Sequence, residues 1–162
     1  MIKLYRTKNE RVYEKLILLL PVGSKINKTE NGKPYTDGVH FSLTHTGDIA
    51  LIAISDSPVG IDAEIIKERN FASVAKRFTA REQSEISSLS EFLRHWVVKE
   101  AYIKLTGGTL AHDLKMLEYY GGQLFYNGLK VDCNIICASS ADFVYAICTH
   151  DDIQKSLKME II

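Results

Sequence analysis

Two apolar runs in the first half of the chain, "VHFSLTH" and "DIALIAIS", are joined by the residues "TGD". Strand-like runs with a short turn between them predict an antiparallel β-hairpin. A third strand-like segment, "VGIDAE", follows and carries Asp62 and Glu64. Side chains two apart on a strand point to the same face, so these carboxylates lie roughly 6.6–6.8 Å apart along the chain. Their repulsion is about 2 kcal/mol at an effective dielectric of about 20, so we expect either water or a cation to screen the pair.

The composition is that of a globular protein and argues against several classes. Apolar residues make up 46% and charged residues 25% of 162 residues, enough for one ordinary domain. Twenty basic residues balance twenty acidic ones, which argues against nucleic acid or a membrane as a partner. The apolar run "LILLLPV" is too short to cross a bilayer and is not followed by a cleavage site of small residues. Three cysteines without a CxxC spacing predict core thiols in a reducing compartment, and therefore a cytoplasmic protein.

Strand and helix signals occupy separate blocks of the chain, which predicts an α+β fold. A short strand at "IKLY" and a helix from about Asn9 to Leu20 precede the hairpin. A longer helix ends at Gly107–Gly108, and the following residues to His150 alternate apolar runs with turns, which predicts an antiparallel meander. Two T/S-x-x-E capping boxes predict helix starts, at Thr79 with Glu82 and at Ser88 with Glu91.

The longer helix carries Trp96, Glu100 and Lys104 at intervals of four, so these side chains share one face. Alone, Glu100 with Lys104 is a common surface pair worth a few tenths of a kcal/mol, and Asp62 with Glu64 is compatible with a solvated strand face. Together, a strand with two carboxylates and a helix with a third beside a lysine are the groups that hold Mg²⁺ on a phosphate substrate.

"VGIDAE", followed after thirty-one residues by "WVVKEAYIK", resembles the signature of the phosphopantetheinyl transferases, G-[IV]-D-x-E … W-x-x-K-E-x-x-x-K. Upstream, "GKP" and "FSLTHTGDIALIAI" are similar to the family's G-K-P and F-[NS]-[IL]-S-H-[ST] segments, and "AKRFTAREQ" is similar to its R-F-x-x-x-E segment. A long segment precedes the G-x-D motif, and in this respect the sequence resembles the surfactin-synthetase-activating type of the family, whose members are pseudo-symmetric monomers. The trimeric holo-acyl-carrier-protein synthases carry that motif near the N-terminus.

The resemblance implies an enzyme that transfers 4′-phosphopantetheine from coenzyme A to a serine of an apo acyl or peptidyl carrier protein. Mg²⁺ would be the cofactor and adenosine 3′,5′-bisphosphate the leaving product. Asp62, Glu64 and Glu100 would be the magnesium-side carboxylates. Glu100 would also be the general base, directly or through a water, and Lys104 would neutralise charge on the phosphate in transfer.

The resemblance also assigns residues to coenzyme A. Lys33 and His45 match positions that bind its 3′-phosphate, and Lys99 is a further phosphate contact. Without the resemblance, a histidine in this position is more often a core histidine on a strand. Glu82 matches a family glutamate, but its capping box accounts for it, so it is left out of the predicted site.

The implied fold has two pseudo-symmetric α/β halves with antiparallel sheets, residues 1–58 as a shortened N-terminal half and residues 59–162 as the half carrying both motifs. Three departures from the family pattern are visible. The region before Gly32 is shorter than usual, which leaves Arg11 as the basic residue best placed to help hold coenzyme A. The family's serines beside the histidine are Thr44 and Thr46, which keep the hydroxyls, and Thr109 replaces the second glycine of G-x-G-L.

Two other interpretations are compatible with parts of the sequence. A catalytically silent relative would bind a carrier protein or coenzyme A without turnover. The presence of Asp62, Glu64, Glu100 and Lys104 argues against it, and the shortened N-terminal region argues for it. An unrelated magnesium nucleotide hydrolase would require a phosphate loop such as G-x-x-x-x-G-K-[ST], and the sequence contains none. The sequence does not indicate whether the carrier belongs to fatty-acid, polyketide or nonribosomal peptide synthesis.

Overall fold

The structure, a computed structural model, describes residues 1–68, 70–152 and 157–162. Strands and helices lie in separate blocks, which confirms the α+β class. The helices are α1 Val12–Leu19, α2 Ala72–Ala75, α3 Ala80–Glu85, α4 Leu89–Thr106 and α5 Leu110–Asp113. The strands are β1 Ile2–Lys8, β2 Asn27–Lys28, β3 Pro34–Tyr35, β4 His40–Thr46, β5 Ile49–Ser55, β6 Val59–Ile65, β7 Leu117–Tyr120, β8 Gln123–Tyr126, β9 Leu129–Lys130, β10 Asn134–Ser139, β11 Phe143–Thr149 and β12 Met159–Ile161.

The first sheet has the strand order β12-β1-β5-β4, and the predicted hairpin is its β4–β5 pair. Its strands are antiparallel except for β12, which runs parallel to β1. Alternation along the strands gives this sheet two apolar faces. One face carries Ala50 and Ile52 and packs on Leu16 of α1. The predicted helix over 9–20 is therefore present, as a 3-10 turn followed by α1.

The second sheet has the order β10-β11-β6 and lies against α4. On one face Ala146 and Cys148 pack on the buried side of α4. On the other face Ile61 and Ile147 pack against Leu51 of the first sheet. The two sheets are therefore sandwiched between α1 and α4. No helix in the described part of the chain is long and apolar enough to span a bilayer.

Both sheets have the same order of elements. The first is built from β1, α1, β4 and β5, and the second from β6, α4, β10 and β11. In each unit the third strand lies between the first and the second, giving β1-β5-β4 and β6-β11-β10. The second unit starts with β6 at Val59. The last strand does not join the sheet of the second unit, because β12 pairs with β1 in the first sheet, with Met159 opposite Leu4.

The predicted meander after α4 is wrong in its pairing. Strands β7, β8 and β9 form a separate sheet, whereas β10 and β11 join β6. In that register Ala146 lies opposite Asp62, and both faces of β11 are buried, one under α4 and one against the first sheet. Burial of apolar residues on both faces thus favours pairing with β6 over continuation of the meander.

The two predicted capping boxes differ. Thr79 Oγ1 accepts a hydrogen bond from the Glu82 N–H at 3.3 Å, and Glu82 Oε2 accepts one from the Thr79 N–H at 2.9 Å, which confirms the first box. At α4, Ser88 caps the Glu91 N–H at 3.3 Å, but the Glu91 carboxylate accepts from the N–H of Ser87. The second box is therefore only half formed.

Candidate functional site

The contact between α4 and β6 brings the predicted catalytic residues together. Gly60 lies under α4, and a Cβ atom at this position would overlap the carbonyl oxygen of Ala101 and the backbone nitrogen of Leu105. Only glycine therefore permits this close approach of helix and strand. The alternation of β6 then directs Asp62, two residues further on, to the α4 side, where it meets Lys104.

Asp62 is the centre of the site and is only 4% exposed. Its Oδ1 accepts a hydrogen bond from Lys104 Nζ at 2.7 Å and one from Thr44 Oγ1 at 2.9 Å. Its Oδ2 is buried and has no hydrogen-bond partner among the described residues. Burial raises the pKa of Asp62, and Lys104 and Thr44 oppose that rise. In this structure the positive charge beside Asp62 is therefore that of Lys104.

Strand β4 supplies hydroxyl groups along the edge of β6. Besides Thr44, Ser42 Oγ accepts a hydrogen bond from the Ile61 N–H at 3.1 Å, and Thr46 Oγ1 accepts one from the Ile65 N–H at 2.9 Å. The hydroxyls of alternate β4 residues therefore bond to β6, two of them to its backbone donors. Thr44 and Thr46 replace the family's serines and keep this bonding capacity.

Glu100 is a partly buried carboxyl that titrates near neutral pH. Its pKa is raised to about 7, first by burial and then by the negative charge of Asp62, with a smaller contribution from Glu64. Lys104 and a side-chain hydrogen bond with Trp96 act in the opposite direction. A carboxylate with a pKa close to the working pH is suited to general-base catalysis.

The donor set fits a hard divalent cation in its chemistry. Within residues 1–68, 70–152 and 157–162 no three His, Cys, Asp or Glu side chains stand ready to hold a metal. However, Asp62 Oδ2 is buried and unpartnered there, and the charges of Asp62 and Glu64 both raise the pKa of Glu100. A cation bound by these carboxylates would relieve both conditions. Because these carboxylates do not already converge within the described residues, their side chains have to rearrange for such a cation.

A cleft of about 250 Å³ adjoins this cluster, lined by the turn before β3, by β4 and by the C-terminal end of α4. Lys33 and Lys104 both line it. Lys33 Nζ donates a hydrogen bond to the backbone carbonyl of Lys104, and burial lowers the pKa of Lys33. Two predicted phosphate-binding lysines therefore share one cleft, whose basic character suits a phosphorylated ligand.

His45 is not a core residue. It lies on β4 opposite Ala50 and is exposed, so the interpretation as a buried strand histidine is wrong. The described residues that line the cleft of Lys33 do not include His45. Its role at the 3′-phosphate of coenzyme A stays a prediction.

Lys99 is buried and paired with a carboxylate. Its side chain is 1% exposed, its Nζ lies 2.7 Å from Glu82 Oε1, and it lies 4.0 Å from the centroid of the Phe78 ring. Its role as a phosphate contact stays a prediction, and in this structure its ammonium group is paired with Glu82.

Glu82 is the residue that sequence reasoning underrated. Its Oε2 completes the capping box, but its Oε1 also pairs with Lys99 and accepts the N–H of Tyr119 at 3.0 Å. The available signal was the match of Glu82 to the R-F-x-x-x-E segment, which the capping box alone does not explain.

Arg11 and Thr109, the residues named at the other two departures from the family pattern, make local contacts. Arg11, just before α1, pairs with Glu14, with 2.7 Å between Nη2 and Oε1. Thr109 precedes α5, and its N–H donates to Asp113 Oδ2 at 2.7 Å.

A sequence profile of the 4′-phosphopantetheinyl transferase superfamily matches residues 58–148, more than half of the chain. The 4′-phosphopantetheinyl transferase psf-1 of Bacillus pumilus is 39% identical over 105 residues, which cover 59% of this chain and 45% of that protein. The 4′-phosphopantetheinyl transferase gsp of Aneurinibacillus migulanus is 37% identical over 87 residues, 49% of this chain and 37% of that protein.

Similarity extends to a vertebrate protein. The L-aminoadipate-semialdehyde dehydrogenase-phosphopantetheinyl transferase of Xenopus laevis is 30% identical over 119 residues, 58% of this chain and 39% of that protein. The chain thus spans less than half the length of these relatives. The matched residues 58–148 run from β6 to β11 and include Asp62, Glu100 and Lys104. The chain belongs to the 4′-phosphopantetheinyl transferase superfamily.

Proposed function

We propose that the protein transfers the 4′-phosphopantetheine group of coenzyme A to a serine of an apo acyl or peptidyl carrier protein. The observation that carries this proposal is the convergence of Asp62, Glu100 and Lys104 beside the cleft that holds Lys33. The names of the similar proteins of Bacillus pumilus and Aneurinibacillus migulanus support the same reaction class.

In this proposal Glu100 is the general base. A carboxyl with a pKa of about 7 is largely ionised slightly above neutral pH and still basic enough to accept a proton. It takes the proton of the carrier serine, directly or through a water, while the serine oxygen bonds to the phosphorus that bears pantetheine. The bond from that phosphorus to the bridging oxygen breaks, and adenosine 3′,5′-bisphosphate leaves with the electron pair.

Lys104 is the proposed partner of the transferred phosphoryl group. Its side chain is 31% exposed and lines the cleft, so its ammonium group is within reach of a bound ligand as well as of Asp62. A positive charge at this point stabilises the negative charge that the phosphoryl oxygens carry in the transition state. Thr44, which stays bonded to Asp62 Oδ1, keeps that carboxylate in place.

We further propose that Asp62, Glu64 and Glu100 hold Mg²⁺, which would supply positive charge to the diphosphate oxygens of coenzyme A when bound. Lys33 and His45 are proposed to bind the 3′-phosphate. The division into two related halves, the monomeric state and the cytoplasmic location are part of the same proposal; the repeated order of β1-α1-β4-β5 and β6-α4-β10-β11 supports the two halves.

The direct test is incubation with coenzyme A, Mg²⁺ and apo carrier proteins from fatty-acid, polyketide and nonribosomal peptide synthesis. We expect intact-mass spectrometry to show the addition of one phosphopantetheine to at least one carrier, no addition without Mg²⁺, and addition at least about 10²-fold slower with Glu100→Gln. A folded protein that modifies none of the three carriers would overturn the proposal.

A further inference from the structure

The most deeply buried charges of the described chain belong to one pair. Glu82 of α3 and Lys99 of α4 have side chains that are 0% and 1% exposed, with 2.7 Å between Oε1 and Nζ. Lys99 directly precedes Glu100 in the chain. The pair therefore fixes the backbone at the position next to the proposed general base.

Both members of the pair are held on several sides. The Glu82 carboxylate accepts hydrogen bonds from the N–H groups of Thr79 at 2.9 Å and Tyr119 at 3.0 Å, so it is fixed to the start of α3 and to β7. The ammonium group of Lys99 also lies 4.0 Å from the centroid of the Phe78 ring, a cation–π distance. The pair thus joins α4 to two separate segments, residues 78–82 at the start of α3 and strand β7.

Stability alone does not account for this arrangement. Removing two charges from water is costly, and apolar residues of similar volume in place of a buried ion pair often leave stability unchanged or increase it. The lowered pKa of Lys99, caused first by burial, shows that this cost is present here. An ion pair differs from apolar packing because its charged hydrogen bond requires one relative orientation of the two side chains.

Because Lys99 and Glu100 are neighbours on one helix, a fixed orientation of Lys99 also fixes the orientation of Glu100. Successive side chains on a helix are about 100° apart, so fixing Lys99 toward α3 rotates Glu100 away from α3. On the strand side, Gly60 allows the backbone at Ala101 to lie directly on β6. Lys99 and Ala101 thus constrain α4 on both sides of Glu100.

We propose that Glu82 and Lys99 are positioning residues that set the rotation and depth of α4 so that Glu100 faces Asp62. This inference rests on the proposed function for its catalytic meaning. It differs from the interpretation of Lys99 as a phosphate contact in a measurable way. A direct contact raises the KM for coenzyme A and gives Glu82 no role, whereas positioning lowers kcat and weakens metal binding through both residues.

The test uses Glu82→Leu/Lys99→Met, which replaces both charges by apolar groups and leaves neither partner unpaired. We expect a melting temperature equal to or above that of the wild type. In the same variant we expect the dissociation constant for Mn²⁺, measured by electron paramagnetic resonance without substrates, to rise about 10-fold. We expect kcat to fall by a similar factor while the KM for coenzyme A stays within about 2-fold.

Glu85→Gln is the matched control. Glu85 and His95 also join α3 to α4, with 3.1 Å between Oε2 and Nε2, but they lie about one helical turn from the Lys99 contact. This variant is expected to keep wild-type Mn²⁺ affinity and kcat. If Glu82→Leu/Lys99→Met does not fold, Glu82→Gln/Lys99→Gln, which keeps a neutral hydrogen-bonded pair, takes its place.

The outcomes separate this inference from the proposed function. Wild-type Mn²⁺ affinity and kcat in the folded double variant overturn the positioning role, and a raised KM with unchanged kcat establishes the phosphate contact instead. A wild type with neither transfer nor Mn²⁺ binding overturns the proposed function alone. In that case the positioning role is tested by the fluorescence of Trp96, the single tryptophan and a hydrogen-bond partner of Glu100. A changed emission maximum in the double variant but not in Glu85→Gln supports positioning, and an unchanged one overturns it.

Discussion

Two lysines of α4 form ion pairs with carboxylates, and the pairs are built differently. Lys99 with Glu82 is closed, with side chains 1% and 0% exposed. Lys104 with Asp62 is open, with side chains 31% and 6% exposed, and Asp62 Oδ2 is unpartnered within the described chain. Both N–O distances are 2.7 Å. The distance between charges therefore does not distinguish a structural pair from a reactive one; the unused bonding capacity around it does.

The same contrast explains which carboxyl groups have shifted pKa values. Around the open pair, burial and neighbouring carboxylates raise the pKa values of Asp62 and Glu100. A site that collects more negative charge than its lysine neutralises is unfavourable in the empty protein and becomes favourable once a cation binds. We infer that the open pair is where ligand charge is accommodated.

The largest expected effect is on catalysis at the open pair. Glu100→Gln keeps the size of the side chain and removes its basicity, so kcat should fall about 10²–10⁴-fold, the usual contribution of general-base catalysis. Glu85→Gln is the same change on the α3 side and should leave kcat within about 2-fold. Single-turnover transfer to an apo carrier is the measurement. Equal kcat values for Glu100→Gln and the wild type would remove Glu100 from the reaction.

The next largest effect is on stability, where the closed pair should matter more than the open pair. Lys99→Met leaves Glu82 as a buried, unpaired charge and should lower the free energy of unfolding by about 3–5 kcal/mol. Lys104→Met should cost only about 1–2 kcal/mol, because Asp62 keeps the Thr44 hydrogen bond and its raised pKa favours protonation. Urea unfolding at pH 7 compares the two variants. Equal losses would show that the open pair is as structural as the closed one.

A third lysine extends the comparison to the substrate. If Lys33 and His45 bind the 3′-phosphate, dephospho-coenzyme A should bind about 10-fold to 150-fold more weakly per lost charged hydrogen bond. His45→Ala should then raise the KM for coenzyme A by a similar factor and leave the KM for dephospho-coenzyme A almost unchanged. This non-additivity is expected of a direct contact. Equal losses with both donors would separate His45 from the 3′-phosphate.

Local sequence signals account for the parts of the fold that depend on neighbours in the chain. Alternation and the "TGD" turn predict β4 and β5, and Thr79 with Glu82 predicts the start of α3, as the structure confirms. The pairing of β12 with β1 and of β10–β11 with β6 was not predictable in this way. These contacts join residues far apart in sequence, and their register depends on which faces become buried.

In the site, too, features set by neighbours in the chain were predictable and features set by distant residues were not. The intervals from Asp62 to Glu64 and from Glu100 to Lys104 predict that each pair shares one face of its strand or helix, but not that the two faces meet. The position of Lys99 did not follow from its motif. Its burial depends on α3 and β7 closing over it, and the motif records only that a lysine stands next to Glu100.

The smallest expected effect tests the pKa of Glu100 through folding. Its folded pKa of about 7 lies above the ordinary value of 4.5, so the folded state binds the proton more tightly than the unfolded chain. The resulting stability is fully present below about pH 4.5 and is lost as the pH rises through about 7. Relative to the wild type, Glu100→Gln should therefore gain about 1–2 kcal/mol in free energy of unfolding between pH 5 and pH 8, allowing for solvent screening.

Urea unfolding of both proteins at the two pH values, in metal-free buffer, measures this difference. Asp62 also has a raised pKa, but it is present in both proteins, so the comparison isolates the contribution that depends on Glu100. Trp96 fluorescence gives a second reading, with a midpoint near pH 7 in the wild type that Glu100→Gln should lack. A constant stability difference between pH 5 and pH 8 would mean that Glu100 is solvated like an ordinary surface carboxylate. The open pair would then lack the perturbed carboxyl group that distinguishes its surroundings from those of Lys99 and Glu82.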